Sequence, residues 1–333
     1  MIESIRWYAQ RGAEYGLTVL AAITINFTLP HLAPGDPLRY LVGDEVEALS
    51  EEQRQELLAT YGLDQPIHVQ YVDYLLGILS GDLGTSVMYG DPVVDVLVHR
   101  LPWTVLLVGS ALFLSTAIGT ILGAWSAWQE GTRTDAGFVG VLVAADSAPA
   151  FWVGMLLIAV FVSSLGWFPA YGVSSIQSSE SAFGSTVDSV HHLTLPVVTL
   201  TLARVGGMFL VARGSVLTTA GSDYLQFSRA KGLSERNVLA RHALPNASLP
   251  IYTRFTLGLG TLVGGAVVVE TVFSYPGLGL LIYEAALARD YPLLQGAFLV
   301  LTVTVIGANV LADLTYPILD PRTAIAKTGG STE

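Results

Sequence analysis

The sequence predicts an all-α polytopic membrane protein, and three observations support this fold class. Hydrophobic residues make up 52% of the 333 residues and charged residues only 13%, and the mean hydropathy is +0.55. Soluble domains carry about 25% charged residues, so a water-soluble protein of this composition could not cover its apolar surface. The third observation is a set of six apolar stretches, each long enough for the helix of ~20 residues that crosses a bilayer.

The six stretches predict six transmembrane helices. Three of them carry no charged residue, and the others carry one or two. In chain order they are Tyr15–Gly35, Leu101–Trp128, Ala136–Phe168, Leu193–Ala212, Leu249–Phe273 and Tyr291–Ala312. The first follows a short basic start, as the apolar part of a signal peptide would, but no A-x-A cleavage site comes after it. This favours a retained membrane anchor.

Glycine is abundant, with 34 residues, and many glycines lie within the apolar stretches. In water such glycines would weaken helices, whereas in a membrane they let helix backbones approach closely. We therefore expect close helix contacts at these positions, which are Gly119, Gly123, Gly258, Gly260, Gly264 and Gly265.

The distribution of lysine and arginine predicts the orientation in the cell membrane. With the N-terminus inside, ten of these residues fall in inner segments, four in outer segments and two within spans. Basic residues concentrate in cytoplasmic loops. Six spans then place both termini in the cytoplasm.

The predicted spans divide the chain into four parts. Residues 1–32 form the N-terminus and first helix, 33–100 an external domain, 101–317 a core with the other five helices, and 318–333 a cytoplasmic tail. The external part is acidic, with twelve carboxylates against three arginines. A solvated surface is the favoured interpretation, with docking of an external partner or adaptation to high salt as alternatives.

Two helices are predicted within the external domain. Ser50 followed by Gln53 is typical of a capping box that opens a helix, and Gly62 is placed to end it. A second helix is predicted to start near Pro66 and to end around Gly81.

The internal segment 213–247 is basic and contains start and stop residues typical of two short helices. Asp223 is predicted to cap the first, and Gly232 to end it in the left-handed conformation that glycine tolerates. The second is predicted to open at Ser234 and to be interrupted by Pro245. A basic loop at anionic lipid headgroups is one interpretation. The helical pattern favours a docking surface for a cytoplasmic protein.

Several classes of function are disfavoured by what the sequence lacks. There is no cysteine, which excludes disulfides, thiolate nucleophiles and cysteine metal ligands. A net charge of −11 disfavours binding to nucleic acid. His191 and His192 are neighbours that project differently and have no carboxylate cluster beside them, so no metal site is predicted. Neither a nucleophile motif nor a G-x-x-x-x-G-K-[ST] phosphate loop is present. The chain is therefore not predicted to be an enzyme, and it is expected to bind no cofactor itself.

Ionisable residues inside spans are costly and usually face a cavity or a partner. Asp146, Arg204 and Glu270 are candidates for lining or gating a pathway, with structural pairing as the alternative. Arg254 and Asp313 lie near span ends, where they could reach the interface, and carry less weight.

The sequence resembles the permease subunits of ATP-binding-cassette importers, in the branch for dipeptides, oligopeptides and nickel. The long external domain resembles that of the B-type partner of the two permeases. Segment 213–247 resembles the family's "EAA" coupling loop, although Gln226-Phe227-Ser228 stand in place of Glu-Ala-Ala. Other matching motifs lie along nearly the whole chain. They are Gly81-Asp82-Leu83-Gly84-Thr85-Ser86, Arg100-Leu101-Pro102, Pro149-Ala150-Phe151-Trp152-Val153-Gly154, Leu165-Gly166-Trp167-Phe168-Pro169, Glu270-Thr271-Val272-Phe273-Ser274-Tyr275-Pro276-Gly277-Leu278-Gly279 and Leu319-Asp320-Pro321-Arg322.

The resemblance implies a type I importer permease fold and a set of partners. These are a second homologous permease, two ATPase subunits that hydrolyse ATP, an external substrate-binding protein and the lipid bilayer. A short helix in the loop would sit in a groove of the ATPase. The coupling residues that the resemblance assigns are Asp223, Tyr224, Ala230, Lys231, Gly232, Leu244 and Pro245.

Peptide is the favoured substrate, and nickel complexes or sugars carried by the same machinery are the alternative. An ATP-independent secondary transporter is the competing class. That class predicts inverted internal repeats, and the sequence shows no convincing repeat.

Overall fold

The computed structural model describes residues 2–32, 49–60, 64–175, 181–260 and 266–319. The described chain is built from helices, some continued by π-helical turns. In order they are α1 Ile2–Leu32, α2 Glu51–Thr60, α3 Ile67–Ser80, α4 Val93–Trp128, α5 Arg133–Ser147, α6 Ala150–Leu157 with a π-helix Ile158–Ser164, α7 Ala182–Ala220, α8 Asp223–Ala230, α9 Glu235–Asn237 with a π-helix Val238–Ala243, α10 Leu244–Gly260, α11 Ala266–Val272, α12 Leu278–Ala288 and α13 Tyr291–Leu319.

Four of the described helices are long and apolar enough to cross a membrane, and a bent helix pair adds a fifth if it counts as one span. The four lie in α1, α4, α7 and α13. The remaining predicted stretch, Leu249–Phe273, falls in α10 and α11, which flank residues 261–265 outside the described chain. The all-α membrane fold is confirmed, and the number of six spans stays a prediction.

The bent pair is α5 and α6, which meet at an angle of 99°. Ala148 and Pro149 both have extended backbone between the two helices, with ψ of 134° and 133°. A proline pushes the residue before it out of the helical region, so α5 ends there and α6 starts in a new direction. The predicted single stretch Ala136–Phe168 is therefore broken beside Asp146.

Helix α7 begins earlier than predicted. The predicted apolar stretch starts at Leu193, but Ser181 Oγ accepts a hydrogen bond from the Gly184 amide at 3.1 Å and caps a helix of 39 residues that begins at Ala182. His191 and His192 consequently lie on α7.

The predicted caps of α2 and α3 are confirmed where the structure describes them. The Ser50 amide donates to the Gln53 side chain at 2.9 Å, and the Gln53 amide donates to Ser50 Oγ at 3.3 Å. Helix α3 ends at Gly81, whose φ is +80°. Gly62 lies outside the described residues.

The chain divides into two compact units. The first comprises Met1–Trp103 and Pro276–Gly307, and the second Thr104–Tyr275 and Ala308–Glu333. The predicted boundaries after residues 32, 100 and 317 concern placement relative to a membrane and stay predictions.

The first unit contains a core between α4, α12 and α13 and a buried carboxylate beside it. Asp290 accepts hydrogen bonds from Ser86 Oγ at 2.6 Å and from the Met88 amide at 3.0 Å. It also accepts one from the Leu293 amide at the start of α13. The core side chains are Val93, Leu97, Leu278, Leu281, Ala285, Leu293 and Ala297. Asp290 thus fixes the Gly81–Ser86 motif against the start of α13.

The second unit is organised around α7, which packs against α5, α6 and α10. Glycines permit close approach to α4, because a Cβ on Gly123 would lie 2.6 Å from the Phe209 carbonyl oxygen. A Cβ on Gly119 would lie 2.8 Å from Met208 Cβ, and one on Gly258 2.7 Å from a Leu112 methyl group. The predicted close contacts at these three glycines are confirmed, whereas Gly264 and Gly265 lie outside the described residues.

Gly123→Ala should destabilise the protein, because the added methyl group meets backbone rather than a movable side chain. The expected loss is about 1–3 kcal/mol in the free energy of unfolding, seen as a lower unfolding temperature in detergent. Gly109→Ala is the matched control, since Gly109 lies in the same helix and faces open space. Equal unfolding temperatures for the two variants would contradict the close approach of α4 and α7.

Candidate functional site

The basic loop 213–247 carries a short helix, α8, directly after α7. The helix starts one residue earlier than the predicted cap implies: Ser222 occupies the N-cap position, and Asp223 is the first helical residue. Asp223 therefore places its charge in the first turn, where a carboxylate interacts favourably with the positive end of the helix dipole. Gly232 follows α8 with φ of +78°, as predicted.

One face of α8 is buried against the second half of the loop. Leu225 is fully buried and packs with Val238 and Ala243, and Trp128 from the end of α4 borders the same cluster. Ser228, one turn after Leu225, donates its hydroxyl hydrogen to the Tyr224 carbonyl. This buried face fixes α8 on the rest of the second unit.

A neighbouring face of α8, about 100° around the helix from the buried one, exposes aromatic side chains. Tyr224 is 41% exposed and Phe227 is 62% exposed. The Lys231 ammonium lies 4.5 Å from the centre of the Phe227 ring. Tyr224, Phe227 and Lys231 follow the i, i+3, i+7 spacing of one helix face, so they form a single apolar and cationic surface that we call the outer face.

The second half of the loop differs from its prediction. A helix does open after Ser234, but Pro245 does not interrupt it. The helix passes from α9 through the π-helix Val238–Ala243 into α10, where Pro245 is the second residue. A proline lacks the amide hydrogen that helix hydrogen bonding uses. The π-helical turn just before Pro245 shifts the hydrogen-bond register, and the helix continues through the proline. Leu244 is half-buried, and Pro245 is exposed.

A set of contacts that we call the junction joins the loop to the ends of α4, α5 and α7. Its members are Trp128, Asp135, Arg213 and Arg229 with the side chains around them. The Arg229 guanidinium lies 5.2 Å from the centre of the Trp128 ring and 3.2 Å from a Glu235 carboxylate oxygen. The loop helix is thus held to the end of α4.

Asp135 is the centre of the junction. Its carboxylate is buried and accepts two hydrogen bonds from Arg213, at 2.8 and 2.7 Å, which is the bidentate geometry of a strong ion pair. Ser126 Oγ and the Gly131 amide also donate to it. One side chain therefore joins α4, the α4–α5 turn, α5 and α7.

A cavity of about 440 Å³ in the second unit is lined by charged side chains from three helices. Asp146 from α5, Arg204 from α7 and Arg254 from α10 line it together. The remaining lining residues are mostly apolar; they are Leu112, Ser115, Ala150, Leu200, Ala203, Met208, Leu257 and Gly258. The structure thus brings the predicted Asp146 and Arg204 into one cavity.

Two adjacent glycines of α7 make room for this cluster. A Cβ on Gly206 would lie 2.5 Å from Asp146 Cβ, so α5 can pack closely only where α7 has no side chain. A Cβ on Gly207 would lie 3.2 Å from Arg254 Nη2 and 3.8 Å from Asp146 Oδ1. The Gly207 amide also donates to Asp146 Oδ1 at 3.1 Å.

Glu270 does not line this cavity. Its side chain is fully buried on α11 and accepts a hydrogen bond from Thr104 Oγ1 at 2.7 Å. The neighbouring Phe273 packs over Gly154, whose Cβ would lie 3.1 Å from the ring. Two motifs distant in sequence, Pro149–Gly154 and Glu270–Gly279, are therefore in contact at these two residues.

Sequence reasoning missed three functional candidates. Arg254 was assigned to a span end, and only packing shows that it shares the cavity. Asp135 and Arg213 were not singled out, although each lies directly beside a predicted apolar stretch. The signal that could have identified them is an acidic and a basic residue directly beside the apolar stretches Ala136–Phe168 and Leu193–Ala212.

Comparison with known proteins identifies the family. A model described as "Binding-protein-dependent transport system inner membrane component" matches residues 119–325. A model of the N-terminal part of such membrane components matches residues 5–108. The chain belongs to this family of inner membrane permease components. Its members are transport subunits rather than enzymes, and partner ATPase subunits of the importer use the ATP.

Curated relatives match over nearly their whole length. The oligopeptide transport system permease protein AppB of Bacillus subtilis is 36% identical over 95% of this chain and 98% of the relative. The dipeptide transport system permease protein DppB of Escherichia coli K12 is 34% identical over 92% of this chain and 94% of the relative. The di/tripeptide permease protein DppB of Pseudomonas aeruginosa is also 34% identical.

A solved structure confirms the importer fold. A chain of the inward facing MetNI methionine ABC transporter has a TM-score of 0.55 at 17% identity. The match covers 67% of this chain and 96% of the MetNI chain. At this identity the likeness concerns the fold alone.

Asp135→Asn should weaken the junction, because it leaves the Arg213 guanidinium beside a neutral amide in a mostly buried place. Removing one partner of such a pair costs about 3 kcal/mol, measured as a lower unfolding temperature in detergent. Adding Arg213→Gln should restore part of the loss, since the unpaired charge is then removed. Strictly additive losses in the double variant would contradict a direct ion pair.

Proposed function

We propose that this chain forms half of the transmembrane pathway for di- or oligopeptides in an ATP-binding-cassette importer. The observation that supports peptide as substrate is identity of 34–36% to curated dipeptide and oligopeptide permeases along more than nine-tenths of the chain. These relatives favour peptide over nickel complexes or sugars, and the family favours an ATP-driven importer over a secondary transporter.

The outer face of α8 is the proposed docking surface for an ATPase subunit. Exposed aromatic side chains are unfavourable in water and favour a protein partner. Asp223, Tyr224, Ala230, Lys231 and Gly232 are exposed on or directly after α8. Leu244 and Pro245 open α10 behind it and would support the loop. In this proposal the ATPase covers the outer face while the buried face stays packed on the junction.

The junction is the proposed route by which the loop moves the spans. Movement of α8 would reach α4 through Trp128 and would reach α5 and α7 through Asp135 and Arg213. Coupling of this kind requires that ATP stabilises one of two arrangements more than the other. Because the junction is held by bidentate and aromatic contacts, its members would move together and pass the movement of the loop to the spans.

Asp146 and Arg204 are the proposed pathway residues. They share a cavity, and charges inside a membrane protein usually face a cavity or a partner. For Glu270, full burial and the hydrogen bond from Thr104 support structural pairing, which was the alternative to a pathway role.

The proposed orientation places both termini and the basic loop in the cytoplasm. Residues 33–100 would then lie outside, where an external binding protein delivers substrate to this chain and a second permease. The charge distribution supports this arrangement, because the basic residues concentrate in the segments assigned to the inside.

Phe227→Glu and Ala230→Glu should release the ATPase subunits, because each places a carboxylate on or beside the apolar docking surface. The measurement is mild-detergent affinity purification of the tagged chain from its native membrane, with the co-purifying proteins identified. We expect the wild type to recover a second permease and ATPase subunits, and the variants to lose most of the ATPase while keeping the permease.

Gln10→Glu is the control, since it adds the same charge at an exposed position far from the loop in sequence. ATPase retained at the wild-type level by both loop variants would contradict docking at α8. A wild-type chain that purifies alone and transports without ATP would contradict the importer function itself.

A further inference from the structure

The cavity of the second unit carries an unusual charge balance for the middle of a membrane protein. Its lining contains two guanidinium groups, Arg204 and Arg254, and one carboxylate, Asp146. The lining therefore has a formal charge of +1 in surroundings that are mostly apolar. Ionisable side chains inside a membrane protein usually face a cavity or a partner, and a lining with this charge balance suits a ligand group that brings one negative charge.

The depth of the cluster follows from helix geometry. Asp135 and Asp146 lie eleven residues apart on α5, and Arg213 and Arg204 lie nine apart on α7. At about 1.5 Å of rise per residue, both pairs place the cluster roughly 15 Å from the junction. In the proposed orientation the junction lies at the inner membrane surface, and 15 Å is about half of the ~30 Å hydrocarbon core, so a permeating molecule would meet the cluster near the middle of the membrane.

The space between the charged groups is kept open by Gly207. Arg254 Nη2 and Asp146 Oδ1 lie 3.2 and 3.8 Å from the position that a Cβ on this residue would occupy. Asp146 is held there by the Gly207 amide at 3.1 Å. The site therefore has a fixed carboxylate, a guanidinium directed to the same open point and a second guanidinium in the wall.

We propose that Arg204 and Arg254 bind the C-terminal carboxylate of a peptide during its passage, while Asp146 offsets one of the two positive charges. Guanidinium groups match the planar carboxylate with charge-assisted, paired hydrogen bonds. Every unmodified linear peptide has one such terminus whatever its side chains, so this contact recognises peptides as a class. The inference rests on the proposed peptide function.

The test compares a peptide acid with its amide in the complete importer. Vesicles containing this chain, the second permease, the ATPases and the binding protein are supplied with trialanine or trialanine amide, each at saturating concentration. The readout is the ratio of acid uptake to amide uptake. Because every variant uses the same binding protein, a change in this ratio between variants reports on the permease.

Arg254→Gln should lower the acid-to-amide ratio about tenfold, the loss expected for a charge-assisted hydrogen bond, chiefly by slowing the acid. Arg254→Lys should restore part of the ratio, since it keeps the charge but not the paired donors. Arg133→Gln is the matched control, because it removes an exposed arginine that does not line the cavity, and its ratio should equal that of the wild type.

Asp146→Asn gives an independent test with the opposite sign. It raises the formal charge of the lining from +1 to +2, so the acid-to-amide ratio should rise. If Arg254→Gln fails to assemble, this variant still tests the carboxylate site. A wild-type ratio in either variant that transports would overturn the carboxylate site. Absence of ATP-dependent trialanine uptake by the wild type would instead overturn the proposed function.

Discussion

The arrangement of the second unit depends on close backbone contact between α7 and the helices around it. Gly123 of α4 leaves room for the Phe209 carbonyl, and Gly206 of α7 leaves room for Asp146 of α5. In a membrane, lipid tails compete for apolar side chains, so helix association depends on contacts that lipid cannot reproduce. The glycines provide such contacts, and they also decide which polar groups can meet: Asp146 reaches the Gly207 amide because no side chain separates the two helices.

Helix α7 consequently connects two places with different chemistry. About midway it lines the charged cavity through Arg204, and near its end it joins the junction through Arg213. Both sites use a carboxylate of α5, Asp146 in the cavity and Asp135 in the junction. A movement of the loop that the junction passes to the ends of α5 and α7 would therefore move Asp146 and Arg204 with these helices, which gives a physical account of how an event at the loop could reach the cavity.

Local features were predictable from the sequence, and contacts between distant residues were not. The capping box at Ser50 and Gln53 and the left-handed Gly232 follow rules that act within a few residues, and both are confirmed. Pro245 was wrongly expected to break a helix, because the π-helical turn before it depends on packing. Arg254 joins the cavity from a helix 50 residues after Arg204 in sequence, and Asp135 pairs with Arg213 across 78 residues. No local pattern specifies such pairs.

In the proposed mechanism α8, the end of α4 and the ends of α5 and α7 move as one body. Since the chain has no cysteine, spin labels at Glu130→Cys and Arg236→Cys can measure the distance between the α4–α5 turn and the loop in the assembled importer, with and without ATP. We expect the same distance in both states, whereas the distance from this loop to the corresponding loop of the second permease should change. A distance from Glu130 to Arg236 that shifts when ATP binds would show that the loop moves independently and would contradict the claim.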